Sequence, residues 1–189
     1  DLIDTVPTDA VVCGFVGTDY GPNIGAVEHI IEMSEHPKIV ESNVHFLVMG
    51  SVGDAFADLQ RKNVHFTGFV EDLTPFYRHC DLALNPITDG GGSNVKVPEY
   101  FAHGLPVLTT PFGARGFSLE NKAFATVAEL DSFPDILSNL ERSALHHHGE
   151  LARAYVESTL NWKNVSQQLW DELLRLVREF QHESTTDTT

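Results

Sequence analysis

The sequence predicts an α/β fold: a Rossmann-like parallel sheet with helices on both faces. Short apolar runs alternate with amphipathic segments up to residue 127, several of these runs end in glycine, and the chain from Glu129 onward is helical in pattern. With 189 residues, of which 42% are apolar and 21% charged, the chain is long enough to bury one large core.

Apolar runs of strand length define the predicted strands. In chain order they cover residues 10–16, 44–49, 64–66, 82–84, 106–109 and 124–127. Helical segments are predicted between and after them, at 22–31, 54–61, 73–79, 95–101, 133–145, 150–160 and 162–180. Ser93 or Asn94 is expected to cap the fourth of these helices, and Gly149 to separate the fifth from the sixth.

The two ends of the chain differ in composition from the segment between them. Residues 1–9 are polar and contain Pro7, so we predict a linker or a cut domain edge there. Residues 10–181 form the predicted domain, and 182–189 a polar tail. One face of the last helix is apolar and either packs on this domain or meets a separate half of the protein. This face consists of Val165, Leu169, Leu173, Leu176, Val177 and Phe180.

Charge and composition exclude several classes of protein. A formal charge of −15 leaves no basic stripe for a nucleic acid. No segment resembles a transmembrane helix or a signal peptide, and Cys13 and Cys80 are expected to be reduced, so we predict a cytoplasmic protein that is peripheral to a membrane at most. The consecutive residues His146, His147 and His148 cannot converge on one metal ion, so a solvated helix end is favoured there and no metal is expected.

A glycine loop follows the strand at 82–84. Gly90, Gly91 and Gly92 leave backbone N–H groups unshielded, which suits a phosphate, while Lys96 could add a cationic contact and Glu99 could accept hydrogen bonds from hydroxyls. The alternative is a tight turn in which the glycines serve geometry alone.

Three further strand ends carry glycine, at Gly17, Gly50 and Gly68. Because ligands of parallel sheets bind at the carboxyl ends of the strands, these positions indicate a shared crevice and favour a phosphate site over a simple turn. The spacing of Gly17, Gly21 and Gly25 is G-x3-G-x3-G, which argues against the G-x-G-x-x-G site of a dinucleotide-dependent oxidoreductase.

Several segments resemble the C-terminal half of GT-B glycosyltransferases of the family-4-like type. They are GFVGTDYGPN, FLVMGSVG, NVHFTGFVEDLTPFYRHCDLALNP, GGGSNVKVPEYFAHGLPVLTTPFGARGF and LNWKNVSQQLWDELLRLVREF. The block from Phe66 to Pro111 is the most specific of them. In that family this half binds the nucleotide of an activated sugar, and the acceptor binds the other half.

The resemblance implies roles for individual residues. Glu99 matches the ribose-binding glutamate, Lys96 a basic residue of G-x-x-x-K-x-x-E loops, and Phe69 and Val70 the segment that holds the base. The residues matching the loop at the diphosphate and sugar are Gly91, Gly92, Ser93, Asn94 and Val95. Together with Gly17, Gly50 and Gly68 these are the expected donor-binding residues, and Lys96 and Glu99 are also the expected catalytic ones.

The chain departs from the family pattern at three positions. Gly91 stands where many members have a second glutamate, and Thr18 and Asn23 stand where many place an arginine and a lysine. These positions favour a second hypothesis, a degenerate, non-catalytic GT-B-like binding domain, whereas Lys96 and Glu99 oppose it. Lys96 and Arg115 are the candidates to replace the missing charges, although Arg115 could instead anchor a loop.

The resemblance implies the donor-binding domain of a glycosyltransferase. Such a domain would help move a sugar from a nucleotide-diphosphate sugar to a glycan, lipid or protein acceptor, with retention and without a metal or other cofactor. Its partner would be an N-terminal acceptor-binding domain of the same parent chain, and the isolated domain is expected to be inactive without it.

Overall fold

The computed structural model describes residues 5–186, with side chains up to residue 179. The chain forms two compact units, Asp1–Arg153 and Ala154–Thr189. The first unit contains every strand of the sheet, and the second consists of helical segments. The predicted domain at 10–181 therefore spans both units.

Six parallel strands form one sheet within the described residues. They are β1 (Val11–Val16), β2 (Val44–Met49), β3 (Val64–Phe66), β4 (Leu82–Asn85), β5 (Val107–Thr109) and β6 (Ala125–Val127). Their spatial order is β3-β2-β1-β4-β5-β6. β1 therefore lies at the centre, β2 and β3 extend the sheet to one side of it, and β4 to β6 extend the sheet to the other side. This is the Rossmann-like parallel sheet that the sequence predicts.

Helices connect and follow the strands. They are α1 (Gly21–Ser34), α2 (Pro37–Val40), α3 (Thr74–His79), α4 (Lys96–Ala102), α5 (Phe133–Ser138), α6 (Arg142–Tyr155) and α7 (Trp162–Thr186). Short 3-10 turns lie at Ser51–Phe56 and Leu130–Ser132, and a π-helical turn lies at Val156–Leu160.

Helices pack on both faces of the sheet, and the strand register shows which residues each face contains. Cys13 lies beside Phe46 on one side and Leu82 on the other, so these three side chains share a face with the core cluster that includes Val27 and Ile30 of α1. On the opposite face, a Cβ at Gly14 would lie 2.6 Å from the Cys80 sulfur, so the end of α3 packs directly on β1. Helices therefore cover both faces of the sheet.

Two short elements differ from the prediction. The helix expected at 54–61 is instead the 3-10 turn Ser51–Phe56, which begins directly after Gly50. Helix α2 was not predicted from the sequence; Pro37 starts it, and the ring Nδ1 of His36 accepts a hydrogen bond from the Lys38 N–H. The two elements have six and four residues, and hydrophobic periodicity does not resolve elements this short.

The expected helix break at Gly149 is wrong, because α6 runs through this residue. A Cβ at residue 149 would lie 2.0 Å from the carbonyl oxygen of Gly104, so the absence of a side chain allows α6 to touch the turn after α4. Consequently His146 and His147 are exposed residues inside α6, not at its end.

The second unit is dominated by α7. Five of the six predicted apolar residues are between 38% and 61% exposed, namely Val165, Leu169, Leu173, Leu176 and Val177. The side chain of Phe180 lies outside the described part. Within residues 5–186, none of the helices is both long and apolar enough to cross a bilayer.

Parts of the predicted linker and tail lie within the described residues. In the predicted linker, residues 1–4 lie outside the described part, whereas Val6 is buried and the Ala10 N–H donates to the Pro7 oxygen. In the predicted tail, residues 182–186 continue α7, and 187–189 lie outside the described part.

The contact at Gly149 leads to a stability prediction. In an ordinary helix, Gly→Ala stabilises by up to about 1 kcal/mol. We expect Gly149→Ala instead to lower the free energy of unfolding by about 1–3 kcal/mol, because the new methyl group meets a backbone oxygen. Gly25→Ala in α1 is the matched control, since no heavy atom lies within 4 Å of the added Cβ. Urea unfolding of both variants tests this, and a stabilising Gly149→Ala would contradict it.

Candidate functional site

A cavity of about 340 Å³ lies at the carboxyl ends of β1 and β2, where α4 and the loop after β3 come together. We call it the donor cavity, after the donor-binding role that the resemblance predicts for several of its residues. Its lining residues are Val16, Gly17, Thr18, Asn23, Gly50, Ser51, Phe69, Val70, Leu73, Val95, Lys96 and Glu99.

Glycines at three strand ends meet through their backbones beside this cavity. The Gly50 N–H donates to the Gly68 oxygen at 3.1 Å, and a Cβ at Gly50 would lie 2.4 Å from the oxygen of Gly17. Gly50 also has a φ of 95°, which strongly favours glycine. Gly17 and Gly50 line the cavity. Gly68 does not line it, but its oxygen accepts the hydrogen bond from the lining residue Gly50.

Lys96 holds an amine in an unusual environment. Its Nζ lies 4.2 Å from the centre of the Phe15 ring and donates to the Asn23 side-chain oxygen at 2.8 Å. The Asn23 amide nitrogen in turn donates to the Thr18 oxygen at 3.0 Å, which fixes the orientation of the amide. Burial lowers the pKa of Lys96 to about 7, although the Glu99 carboxylate acts in the opposite direction. The amine is thus poised between its charged and neutral forms at neutral pH.

Glu99 lies one turn after Lys96 and is exposed to solvent. One of its oxygens, Oε1, accepts a hydrogen bond from the Tyr77 hydroxyl at 2.8 Å. Burial is the main cause of a raised pKa for Tyr77, so its hydroxyl stays protonated and remains a donor. This contact orients the carboxylate and leaves its second oxygen available to a ligand.

Helix α4 is fastened to the sheet independently of these contacts. The Val16 N–H donates to the hydroxyl oxygen of the fully buried Tyr100 at 3.0 Å. Neither Ser93 nor Asn94 caps the helix: Val95 occupies the N-cap without a side-chain bond, and the Asn94 side chain donates to the Gly113 oxygen. The predicted side-chain cap is therefore wrong, because Asn94 is used to fix the loop after β5.

The glycine loop lies outside the lining of the donor cavity. Gly91, Gly92 and Ser93 are exposed. Arg115 holds the start of the loop, since it donates to the Gly90 oxygen at 3.2 Å and stacks over Phe112 at 3.7 Å. These contacts are those of a loop anchor, the second of the two roles considered for Arg115.

The structure therefore brings together part of the predicted site. Seven predicted residues line the cavity: Gly17, Gly50, Phe69, Val70, Val95, Lys96 and Glu99. Five do not: Gly68, Gly91, Gly92, Ser93 and Asn94. Sequence reasoning missed Val16, Ser51 and Leu73 as lining residues and Tyr77 as the partner of Glu99. Ser51 directly follows a strand-end glycine, which is a signal that could have identified it.

The family model described as "Glycosyl transferases group 1" matches residues 10–142. The chain belongs to this family. This group 1 chain is also 36% identical over 75 residues to an uncharacterized glycosyltransferase of Methanosarcina acetivorans, and the match spans 38% of the chain and 18% of that relative.

Solved glycosyltransferase structures share the fold of this group 1 chain. TarM aligns with a TM-score of 0.69 at 17% identity, over 85% of the chain and 34% of TarM. HepE from Anabaena, solved in complex with UDP-glucose, aligns with a TM-score of 0.62 at 18% identity, over 88% of the chain and 49% of HepE. The chain thus spans half or less of the length of these proteins, and it has the architecture of one half of a GT-B enzyme.

The environment of Lys96 can be tested directly. We expect Asn23→Asp to raise the pKa of Lys96 from about 7 by about one to three pH units, because a carboxylate adjacent to the amine stabilises its charged form. NMR titration of the lysine Cε resonance measures this pKa. Asn139→Asp adds the same charge at an exposed position of the chain outside the donor cavity and should leave the pKa of Lys96 unchanged. An equal response to both substitutions would contradict the assignment.

Proposed function

We propose that the chain is the donor-binding domain of a glycosyltransferase that uses a nucleotide-diphosphate sugar. One observation carries the proposal: Lys96 and Glu99 face a single cavity at the carboxyl ends of the strands, with the 73% exposed Phe69 beside them. An amine, a carboxylate and an accessible aromatic ring match the phosphate, hydroxyl and base groups of a nucleotide.

Each part of the nucleotide has a proposed contact. The base would pack against Phe69 and Val70, which both line the cavity. The ribose hydroxyls would donate to the Glu99 oxygen that Tyr77 leaves free. The diphosphate would meet Lys96 and the loop from Gly91 to Val95, of which Gly91, Gly92 and Ser93 are exposed and lie outside the lining.

The chemical role of the site would be to stabilise the leaving group. When the bond to the sugar breaks, negative charge develops on the outer phosphate, and a protonated Lys96 would stabilise that charge. The resemblance implies a retaining reaction, in which the leaving phosphate could take the proton of the acceptor. We expect no metal ion or further cofactor, because Lys96 and the backbone N–H groups would supply the positive field.

The acceptor-binding part would be an N-terminal domain of the same parent chain, and the acceptor a glycan, lipid or protein. HepE, with UDP-glucose bound, and TarM, with UDP bound, share this fold, which supports a nucleotide sugar as donor. Without the acceptor domain, the chain is expected to bind the donor and to transfer little or no sugar. We place it in the cytoplasm.

A degenerate binding domain is the second candidate. Thr18, Asn23 and Gly91 lack the charges that many family members carry there. However, Asn23 accepts a hydrogen bond from the amine of Lys96, so α4 places a basic group beside the position where many family members carry a lysine. We therefore favour a working donor site.

Nucleotide binding tests the proposal. Isothermal titration with UDP-, GDP- and other nucleotide sugars should show binding to at least one of them, and no binding at millimolar concentration to any would refute the donor site. Glu99→Ala should weaken the bound nucleotide by about 1–3 kcal/mol, as expected for hydrogen bonds to a charged group. Glu32→Ala, at an exposed position of α1 outside the cavity, is the control and should bind as the wild type does.

The pKa of Lys96 also predicts the pH dependence of donor binding. The free amine has a pKa of about 7, and a bound diphosphate would raise it, so binding above pH 7 must take up a proton. Affinity should fall as the pH rises from 7 to 9, by at most about tenfold per pH unit. Titration in buffers of different ionisation enthalpy measures the proton uptake. Lys96→Arg keeps its charge throughout this range and should remove the dependence; persistence of the dependence in this variant would exclude Lys96 as its source.

A further inference from the structure

We propose that a second cavity binds a small anion bearing a phosphate group, and that this anion tightens donor binding through Tyr77. The cavity has a volume of about 380 Å³ and lies between α3, the turn after α4, and α6. The basic residues in its lining are Arg78, His103, His146 and Arg153. We call it the arginine cavity.

The two arginines of this cavity have no carboxylate partner. Among the side chains described up to residue 179, Arg61 and Arg142 each form an ion pair, whereas Arg78 and Arg153 form none. Two guanidinium groups without an ion pair thus line one cavity, although the chain as a whole has a formal charge of −15. Guanidinium groups bind phosphate oxygens with two parallel hydrogen bonds, so a phosphate is the ligand that this arrangement suits.

The electrostatic environment of His103 also supports an anion site in this cavity. Burial is the main cause of the lowered pKa of His103, and Arg153 and Arg78 lower it further, while Glu99 and Asp72 oppose them. Both guanidinium groups therefore act on the same imidazole. An anion placed among the three groups would reduce their repulsion and favour the charged form of His103.

The acidic residues of the cavity are engaged elsewhere. Asp81 accepts from Arg142 Nε at 2.8 Å with one oxygen and from the Val12 N–H at 2.9 Å with the other. Glu150 lies 3.6 Å from the ring nitrogen of His147 and 4.0 Å from that of His146. Both oxygens of Asp81 thus have a partner, and Glu150 lies against the histidines of its own helix. Among the described side chains, neither carboxylate forms an ion pair with Arg78 or Arg153.

Tyr77 connects the arginine cavity to the donor cavity. Its ring lines the former and stacks on His103, with 4.2 Å between ring centres and 24° between planes. Its hydroxyl donates to Glu99, which lines the latter. A protonated His103 against the ring would make the hydroxyl a stronger donor and hold the Glu99 carboxylate more firmly. This coupling rests on the proposed function of Glu99, whereas the anion site does not.

Anion binding is tested by NMR titration of the histidine rings with pyrophosphate. His103 resonances should shift saturably in the wild type and in Lys96→Met, in which the proposed phosphate contact of the donor cavity is lost. The double variant Arg78→Gln/Arg153→Gln should bind at least tenfold more weakly, and Arg61→Gln, which removes an arginine paired elsewhere, should bind normally. A normal response of the double variant, or loss of the response in Lys96→Met, would overturn the anion site.

Two further probes identify the kind of phosphate. Saturable binding of inorganic phosphate alone would indicate a free ion, and tighter binding of glycerol phosphate would indicate a phosphomonoester. Either result supports the site. Failure of pyrophosphate, inorganic phosphate and glycerol phosphate alike to shift His103 would refute it, whatever the donor cavity binds.

The coupling is tested by nucleotide titration with and without glycerol phosphate. Because this probe could also compete for the donor cavity, the comparison is between the wild type and Arg78→Gln/Arg153→Gln. The probe should make nucleotide affinity about fivefold higher in the wild type than in the double variant, which is at the lower end of typical coupling energies. Tyr77→Phe should keep the anion site and lose the difference. Equal effects of the probe on the wild type and the double variant would exclude coupling.

Discussion

The backbone contact among Gly17, Gly50 and Gly68 is the constraint on which the donor cavity depends. The Gly50 N–H donates both to the Gly68 oxygen and to the Thr67 hydroxyl, so these contacts hold the end of β2 to the loop after β3. A Cβ at Gly50 would clash with the oxygen of Gly17, so a side chain there would force the ends of β1 and β2 to shift. The glycines found from the sequence are therefore first a structural device, and only Gly17 and Gly50 also face the cavity.

The surroundings of Lys96 solvate its charged form poorly, which favours contact with an anion. Its amine has exchanged water for an aromatic face and a single amide oxygen, which is poor solvation for a full charge. A bound anion would supply the solvation that is missing. The binding energy of such a site thus depends on the desolvation of the empty state as much as on the new contact.

Apolar runs predicted the sheet well because most residues of β1, β2, β4 and β5 are buried. All six predicted strands exist within a residue or so of the expected bounds. Lys96 and Glu99 were singled out instead by their position after the glycine loop and by the family resemblance, and both line the donor cavity. Sequence reasoning could not find Tyr77 or the role of Gly149, since both depend on contacts between residues far apart in the sequence. From the sequence, Gly149 was interpreted as a helix break because glycine has a low helix propensity. In the structure this glycine lies inside α6, where the lack of a side chain allows close packing against Gly104.

The contact between Gly104 and Gly149 has an evolutionary consequence. Gly104 ends the segment that bears Lys96 and Glu99, so any side chain acquired at residue 149 would displace the turn that terminates this segment. Selection that preserves the donor cavity would therefore extend to a position in α6 outside the lining of that cavity. In divergent relatives, a larger residue at this position should appear only where the turn after α4 has been rebuilt, and the two changes should be inherited together.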